Sequence, residues 1–187
     1  SIQARIFDGD GVPVTEQFQV NTLTAGKQVR PDVVWDSPAS FVVAWEGHGD
    51  GDGYGIWGQR FNAAGQPLGV EFQVNTYTSS NQRWARLASP AEGVFVVAWQ
   101  SAGEAGNDPD YSIHARPRFS NGDWGDQFRV NTFTTSGQMY PDIVGIVPGG
   151  FVVVWQSQGS AGTDSSGRSI QSQRFSWPPN PAGTETQ

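Results

Sequence analysis

The chain has 187 residues with 24 Gly, 12 Pro and a single Met, enough for one sizeable core or a run of small repeats, and its composition excludes a helix-rich fold. Its 18 acidic against 11 basic residues give a net charge of -7 and a pI near 4.6, so nucleic acid is not an expected partner. The absence of Cys excludes disulfides, a thiolate nucleophile and Cys-based zinc; no apolar run approaches the roughly 20 residues that cross a bilayer, so no membrane insertion is expected.

In chain order, the first elements are Ile2 to Phe7, an Asp8-Gly-Asp10-Gly turn signal, and Phe18 to Thr22, reading Phe-Gln-Val-Asn-Thr. The next stretch predicts four short strands near Asp32 to Trp35, Phe41 to Trp45, Gly55 to Phe61 and Glu71 to Asn75. They are separated by Ser-Pro, Gly-Asp and Ala-Ala-Gly-Gln-Pro turn signals. Phe41 to Trp45 is apolar throughout, which predicts a central strand covered on both faces, whereas the strand from Ile56 to Phe61 has mixed faces.

The same pattern then returns. Phe-Gln-Val-Asn-Thr recurs at Phe72 to Thr76 and, with one change, at Phe128 to Thr132; Gln28, Gln82 and Gln138 recur in step, as do the apolar runs ending in Trp45, Trp99 and Trp155. An Ile-x-x-Gln-Arg-Phe element or near variant occurs four times, ending at Phe7, Phe61, Phe119 and Phe175. The chain therefore opens and closes at the same phase, residues 1–19 matching 169–187. We divide it into a partial unit 1–22 holding the last two strands of a repeat, and units 23–76, 77–132 and 133–187, the last with a Pro-rich tail.

Four strands per repeat predict an all-β repeat protein built from four-stranded blades of a β-propeller or partial propeller; a threefold β-trefoil or β-prism is the alternative. Three blades are too few to close a ring. The expectation is therefore continuation in a longer chain, for which the repeat spacing of Glu185 after Phe175 argues, or a homo-oligomer.

These motifs together, Phe-Gln-Val-Asn-Thr, Gln-x-x-Pro-Asp-Val, Phe-Val-Val-Ala-Trp and Ile-x-x-Gln-Arg-Phe, resemble the tandem units of large secreted or surface bacterial proteins, often ones carrying calcium-binding repeats elsewhere. The resemblance implies a secreted or cell-surface location and adhesion or ligand binding. The middle unit departs from it, with Ala85 and Arg86 in place of Pro-Asp.

Recurrence separates scaffold from site. Trp45, Trp99 and Trp155 return in every unit and read as core groups whose indole N–H finds one partner; Asn21, Asn75 and Asn131 read as strand-end turn formers. Trp84 and Arg86 interrupt the middle unit where aromatic surface and charge change together, and with Trp57 and Trp124 they are the candidate ligand contacts: an indole stacks on a sugar face while polar neighbours read hydroxyls. Asp50, Asp52, Asp108, Asp110 and Asp164 lie in Gly-rich loops whose oxygens would suit calcium; no cofactor is required. His48 and His114 give neither metal spacing nor a triad. The expected function is a binding or adhesion module for carbohydrate, and not an enzyme. A structural module assembling with other surface proteins is the alternative, and a glycoside-active enzyme with two carboxylates a third reading.

Overall fold

A computed structural model describes residues 1–103, 110–146, 149–159, 167–182 and 185–186. Among these residues there is no helix, and so none long and apolar enough to cross a membrane. A half-blade comes first, with β1 (Gln3–Ala4) antiparallel to β2 (Phe18–Gln19). Blade I follows as β3 (Gln28–Ser37), β4 (Ser40–Gly47), β5 (Gly55–Asn62) and β6 (Phe72–Gln73), each strand pairing antiparallel with the next. Blade II repeats the order with β7 (Gln82–Ala91), β8 (Val94–Ala102), β9 (Tyr111–Arg118) and β10 (Phe128–Arg129). Blade III contains β11 (Gln138–Gly145), β12 (Gly150–Gln158), β13 (Arg168–Ser176) and β14 (Asn180–Pro181).

These are four-stranded antiparallel blades of the propeller type, packed face to face, and not the hairpin triplets of a trefoil or prism. Alternation along each second strand builds the stack. Phe41, Val43 and Trp45 face Ile2 and Val20 of the half-blade, while Val42 and Ala44 face Leu87, Phe95, Val97 and Trp99 of blade II. The same layer returns between blades II and III, where Ala98, Ile113 and Val130 meet Phe151, Val153, Trp155 and Phe175. Covered on both faces, β4 is buried along its whole length.

The recurring polar residues hold this repeat together. Each core indole donates to the Gln that opens its blade: Trp45 Nε1 to Gln28 Oε1 at 2.8 Å, Trp99 to Gln82 at 3.2 Å and Trp155 to Gln138 at 3.0 Å. The Asn side chains do more than form turns. Asn75 Oδ1 accepts from Ile56 N at 2.7 Å and its Nδ2 donates to Tyr77 O, so the side chain replaces a ladder partner, and Asn21 and Asn131 do the same. This explains why the fourth strands span two residues where a longer strand to Asn75 is expected from sequence.

Successive blades are clasped at their outer strands. Glu71 Oε2 accepts from the backbone N and hydroxyl of Thr22 at 2.6 and 2.8 Å. Gln127 Oε1 does so from Thr76, and Glu185 Oε2 from Thr132. The last clasp keeps the repeat's phase although blade III departs locally: β14 pairs with Phe175 and Ser176, and Ser172 bridges Thr186.

Candidate functional site

The first strands β3, β7 and β11 make the close approach between neighbouring blades and begin where Gln28, Gln82 and Gln138 anchor the core indoles. Each strand starts earlier than apolar patterning predicts because a bulge interrupts its register, between Val29 and Asp32, Arg83 and Arg86, and Met139 and Asp142. Within each bulge the residue two after the Gln is left-handed: Arg30 at φ 53°, Trp84 at 59° and Tyr140 at 54°. Side chains avoid this region at roughly 1–2 kcal/mol per residue, so each bulge needs a compensating contact.

For Trp84 and Tyr140 that contact comes from the preceding blade. Trp84 N donates to Glu46 Oε1 at 2.7 Å, and Tyr140 N donates to Gln100 Oε1 at 3.1 Å, both acceptors being the residue after a core Trp. The turned backbones bring three side chains into a ladder. The Arg30 guanidinium lies 4.5 Å from the Trp84 ring centroid, and the Tyr140 ring meets Trp84 edge-on at 4.9 Å. Arg30 and Tyr140 are exposed and Trp84 is half-buried, so two aromatic rings and a cation face solvent together.

Beneath the ladder sits Glu46, with no exposed surface. Its Oε2 pairs with Arg30 Nη1 at 2.8 Å and Arg83 Nε at 3.2 Å, and Arg83 also lies 4.7 Å from the Tyr54 ring. A buried carboxylate is tolerated when paired and hydrogen-bonded in this way, and here it fixes both guanidiniums. Two further carboxylates occupy one repeat position, Asp32 on β3 and Asp142 on β11, with Arg86 at the equivalent place on β7. Asp32 Oδ2 accepts from Leu87 N at 2.7 Å across the blade interface, and Asp142 is exposed.

Of the sequence-predicted contacts, Trp84 alone belongs to the ladder. Half-buried on the same strand, Arg86 donates from Nη1 to Ala85 O at 2.9 Å. On β5, Trp57 donates to Gly47 O at 3.2 Å and packs beside the core between half-blade and blade I. Trp124 meets Phe72 and Phe95 edge-on, and the guanidiniums of Arg116 and Arg118 lie 4.9 and 5.2 Å from its ring centroid. Arg116 Nη1 donates to Val74 O of the neighbouring blade at 2.8 Å, and burial pulls both guanidiniums below their usual range. The structure thus holds Trp57, Trp84 and Trp124 at three separate places. Arg30, Tyr140 and Glu46 are the partners that sequence patterns do not single out. The available signal is their shared spacing: Arg30 and Tyr140 stand two residues after the recurring Gln.

No group of three His, Asp or Glu residues suited to a metal occurs among the described residues. Asp50 accepts from Asn75 Nδ2 at 3.3 Å, Asp52 accepts from Ser80 N at 3.3 Å, and Asp110 is exposed just before β9; Asp108 and Asp164 lie outside the described residues. Burial pushes the Asp50 carboxyl above its ordinary value of 3.8, against a smaller opposing effect of the Asn75 bond, and its Oδ1 is buried with no hydrogen-bond partner among the described residues. A raised carboxyl favours the folded state when protonated. Its contribution is greatest below the ordinary value and is lost as pH rises through the folded-state value. Asp50→Asn, which removes the charge and keeps the shape, should therefore raise the melting temperature at about pH 7 and by less at about pH 3, as calorimetry at the two pH values will read.

No protein-family model and no curated protein matches the sequence. Among solved structures the chain is similar to an alpha-L-arabinofuranosidase from Lactobacillus brevis, at 12% identity and a TM-score of 0.55, over 94% of this chain and 67% of that one. A thermostable family-43 glycoside hydrolase is matched at 14% identity and a TM-score of 0.42, over 94% and 54%. The first likeness corrects the expectation that the chain is not an enzyme, because the blade array it shares is one on which a glycoside hydrolase is built. The missing Cys and His motifs exclude only nucleophiles legible from spacing; carboxylate pairs are set by space.

Proposed function

We propose that this chain is a carbohydrate-directed domain that holds a sugar against the ladder of Arg30, Trp84 and Tyr140. The observation that carries this reading is the ladder itself: two aromatic rings and a guanidinium from three blades, held in left-handed conformations and presented to solvent over the fixed Glu46. An indole and a phenol offer apolar faces to sugar C–H groups. Arg30 uses one donor on Glu46, and a guanidinium has five. The fold shared with an arabinofuranosidase supports the carbohydrate class.

A glycan array followed by titration of its best hit tests the reading. Trp84→Ala and Tyr140→Ala should each weaken binding about tenfold or more, the scale of an aromatic anchor, while Trp57→Phe leaves affinity unchanged. An array without hits, or affinity lost with Trp57 and kept without Trp84, would defeat it.

A second reading, glycoside hydrolysis, is supported by the blade array shared with an alpha-L-arabinofuranosidase, and its candidate carboxylates are Asp32 and Asp142, at one repeat position on blades I and III. A pair of carboxylates is what acid–base cleavage of a glycosidic bond needs. Under this reading aryl glycosides such as an α-L-arabinofuranoside are turned over, and Asp32→Asn and Asp142→Asn each abolish turnover while leaving binding at Trp84 in place.

A further inference from the structure

We propose, resting on the carbohydrate reading above, that the sugar held at the ladder is an acidic one. It is a uronic acid or an oligosaccharide of one, and its carboxylate is received by the guanidiniums of Arg30 and Arg83.

Two guanidiniums from different blades meet on a single oxygen. Arg30 Nη1 from β3 and Arg83 Nε from β7 both donate to Glu46 Oε2, at 2.8 and 3.2 Å. Neither guanidinium has another ion pair or hydrogen-bond partner among the described residues. One enclosed carboxylate therefore faces two cations, and one positive charge is left in excess. Both side chains are partly withdrawn from water, with 37% and 29% of their surface exposed. An opposite charge placed there gains more than it would in open solvent, because the effective dielectric is lower.

Donors remain for a carboxylate at both residues. Arg83 spends Nε on Glu46 and keeps both terminal nitrogens, while Arg30 spends Nη1 and keeps Nε and Nη2. Each guanidinium is also steadied by a ring. Arg30 lies 4.5 Å from the Trp84 centroid and Arg83 lies 4.7 Å from the Tyr54 centroid, with the His48 ring a further 4.2 Å from Tyr54. A guanidinium edge held in this way matches the two oxygens of a carboxylate, whereas a sugar hydroxyl takes one bond and brings no charge.

The neighbouring acids are turned elsewhere. Asp32 and Asp142 stand two residues beyond Arg30 and Tyr140 on their strands, while Arg83 stands one residue before Trp84, so they flank the ladder from opposite sides along the strands. Asp32 accepts from Leu87 N and Asp142 from Ile143 N. In the loop after β4, Asp50 accepts from Asn75 Nδ2 and Asp52 from Ser80 N. A chain of net charge -7 repels anions at long range, so an acidic ligand needs a local excess of this kind. A sugar ring laid on Trp84 with its carboxylate toward Arg83 uses both halves of the surface.

Calorimetric titration of the chain with oligosaccharides of galacturonate, glucuronate and mannuronate, each beside its methyl ester, tests this. The ester keeps the ring and removes the charge. At least one acid should bind about tenfold more tightly than its ester, the scale of charge-assisted hydrogen bonds, and raising salt from about 50 to about 500 mM should narrow the gap. This comparison needs no variant. Arg83→Met should bring that acid down to the affinity of its ester, Arg83→Lys should keep part of the preference because it retains the charge without the fork, and Trp84→Ala should weaken acid and ester alike. Equal affinity of acid and ester in every pair, or binding of neutral glycans alone, would overturn the acidic class and leave a sugar at the ladder. Binding of no acid, ester or neutral glycan would overturn both. A preference for the acid that survives Arg83→Met and Arg30→Met would also overturn the proposal, since its carboxylate would then be received elsewhere.

Discussion

Trp99→Ala should lower the free energy of unfolding by about 3–5 kcal/mol, the range for removing a large aromatic side chain from a packed core. Trp99 has no exposed surface and lies in the core between blades I and II, where it packs with Phe95, Val97 and Leu87. Truncation leaves a cavity between sheets whose backbones are fixed by their own ladders, so collapse is limited. It also strands the acceptor Gln82 Oε1, which is itself buried and whose Nε2 is already committed to Ser79 O. The loss falls on the interface between blades I and II, and with it on the coupling of neighbouring repeats. Urea melts will read the change, and Val70→Ala at a position 84% exposed should stay within about 0.5 kcal/mol of the parent.

Glu46→Ala is the second large effect, expected at about 3 kcal/mol, the lower end for breaking a buried ion pair. The lower end applies because the stranded guanidiniums of Arg30 and Arg83 keep 37% and 29% of their side-chain surface in water and can hydrate. The Trp84 N–H loses its acceptor as well, and with it the contact that compensates the left-handed conformation. Glu46→Gln separates these contributions, since Gln100 performs the same backbone contact for Tyr140. It should cost about 1 kcal/mol, as the amide oxygen still accepts from Trp84 N while the charge-assisted bonds weaken. Equilibrium unfolding of both variants at low and moderate salt checks this; the buried pair should respond little to ionic strength.

The blade is legible in the sequence because recurrence exposes what every unit needs. Phe41 to Trp45 reads as a covered central strand from its apolar run alone, and Trp45, Trp99 and Trp155 read as core groups with one polar partner; their donations to Gln28, Gln82 and Gln138 give that Gln its reason to recur. The first strands are less legible. A bulge leaves no periodic trace, so Val29 and Arg30 fall outside an alternating pattern that starts at Asp32. The fourth strands read too long for a different reason: Asn75 pairs through its side chain, which hydrophobic pattern does not encode.

The candidate site is half legible. Trp84 stands out because its unit deviates, yet its partners Arg30 and Tyr140 lie 54 and 56 residues away at the same repeat phase and look unrelated to it as residue types. Only the stacking of blades makes three unlike residues one surface. Trp124 looks as distinctive in sequence, but its ring packs edge-on against Phe72 and Phe95 with two arginine guanidiniums over it, apart from the ladder. The enzyme question is misread from sequence because the Cys and His spacings say nothing of carboxylates, whose pairing is set by space.

The claim that a sugar is held at the Arg30, Trp84 and Tyr140 ladder can be tested most directly by a nitrogen–proton spectrum of the indole-labelled protein, whose eight Trp give eight indole signals, titrated with the best glycan. A saturable shift of the Trp84 signal is expected, with the Gln-bonded indoles of Trp45, Trp99 and Trp155 unmoved. A titration that shifts Trp57 or Trp124 and leaves Trp84 in place would contradict it.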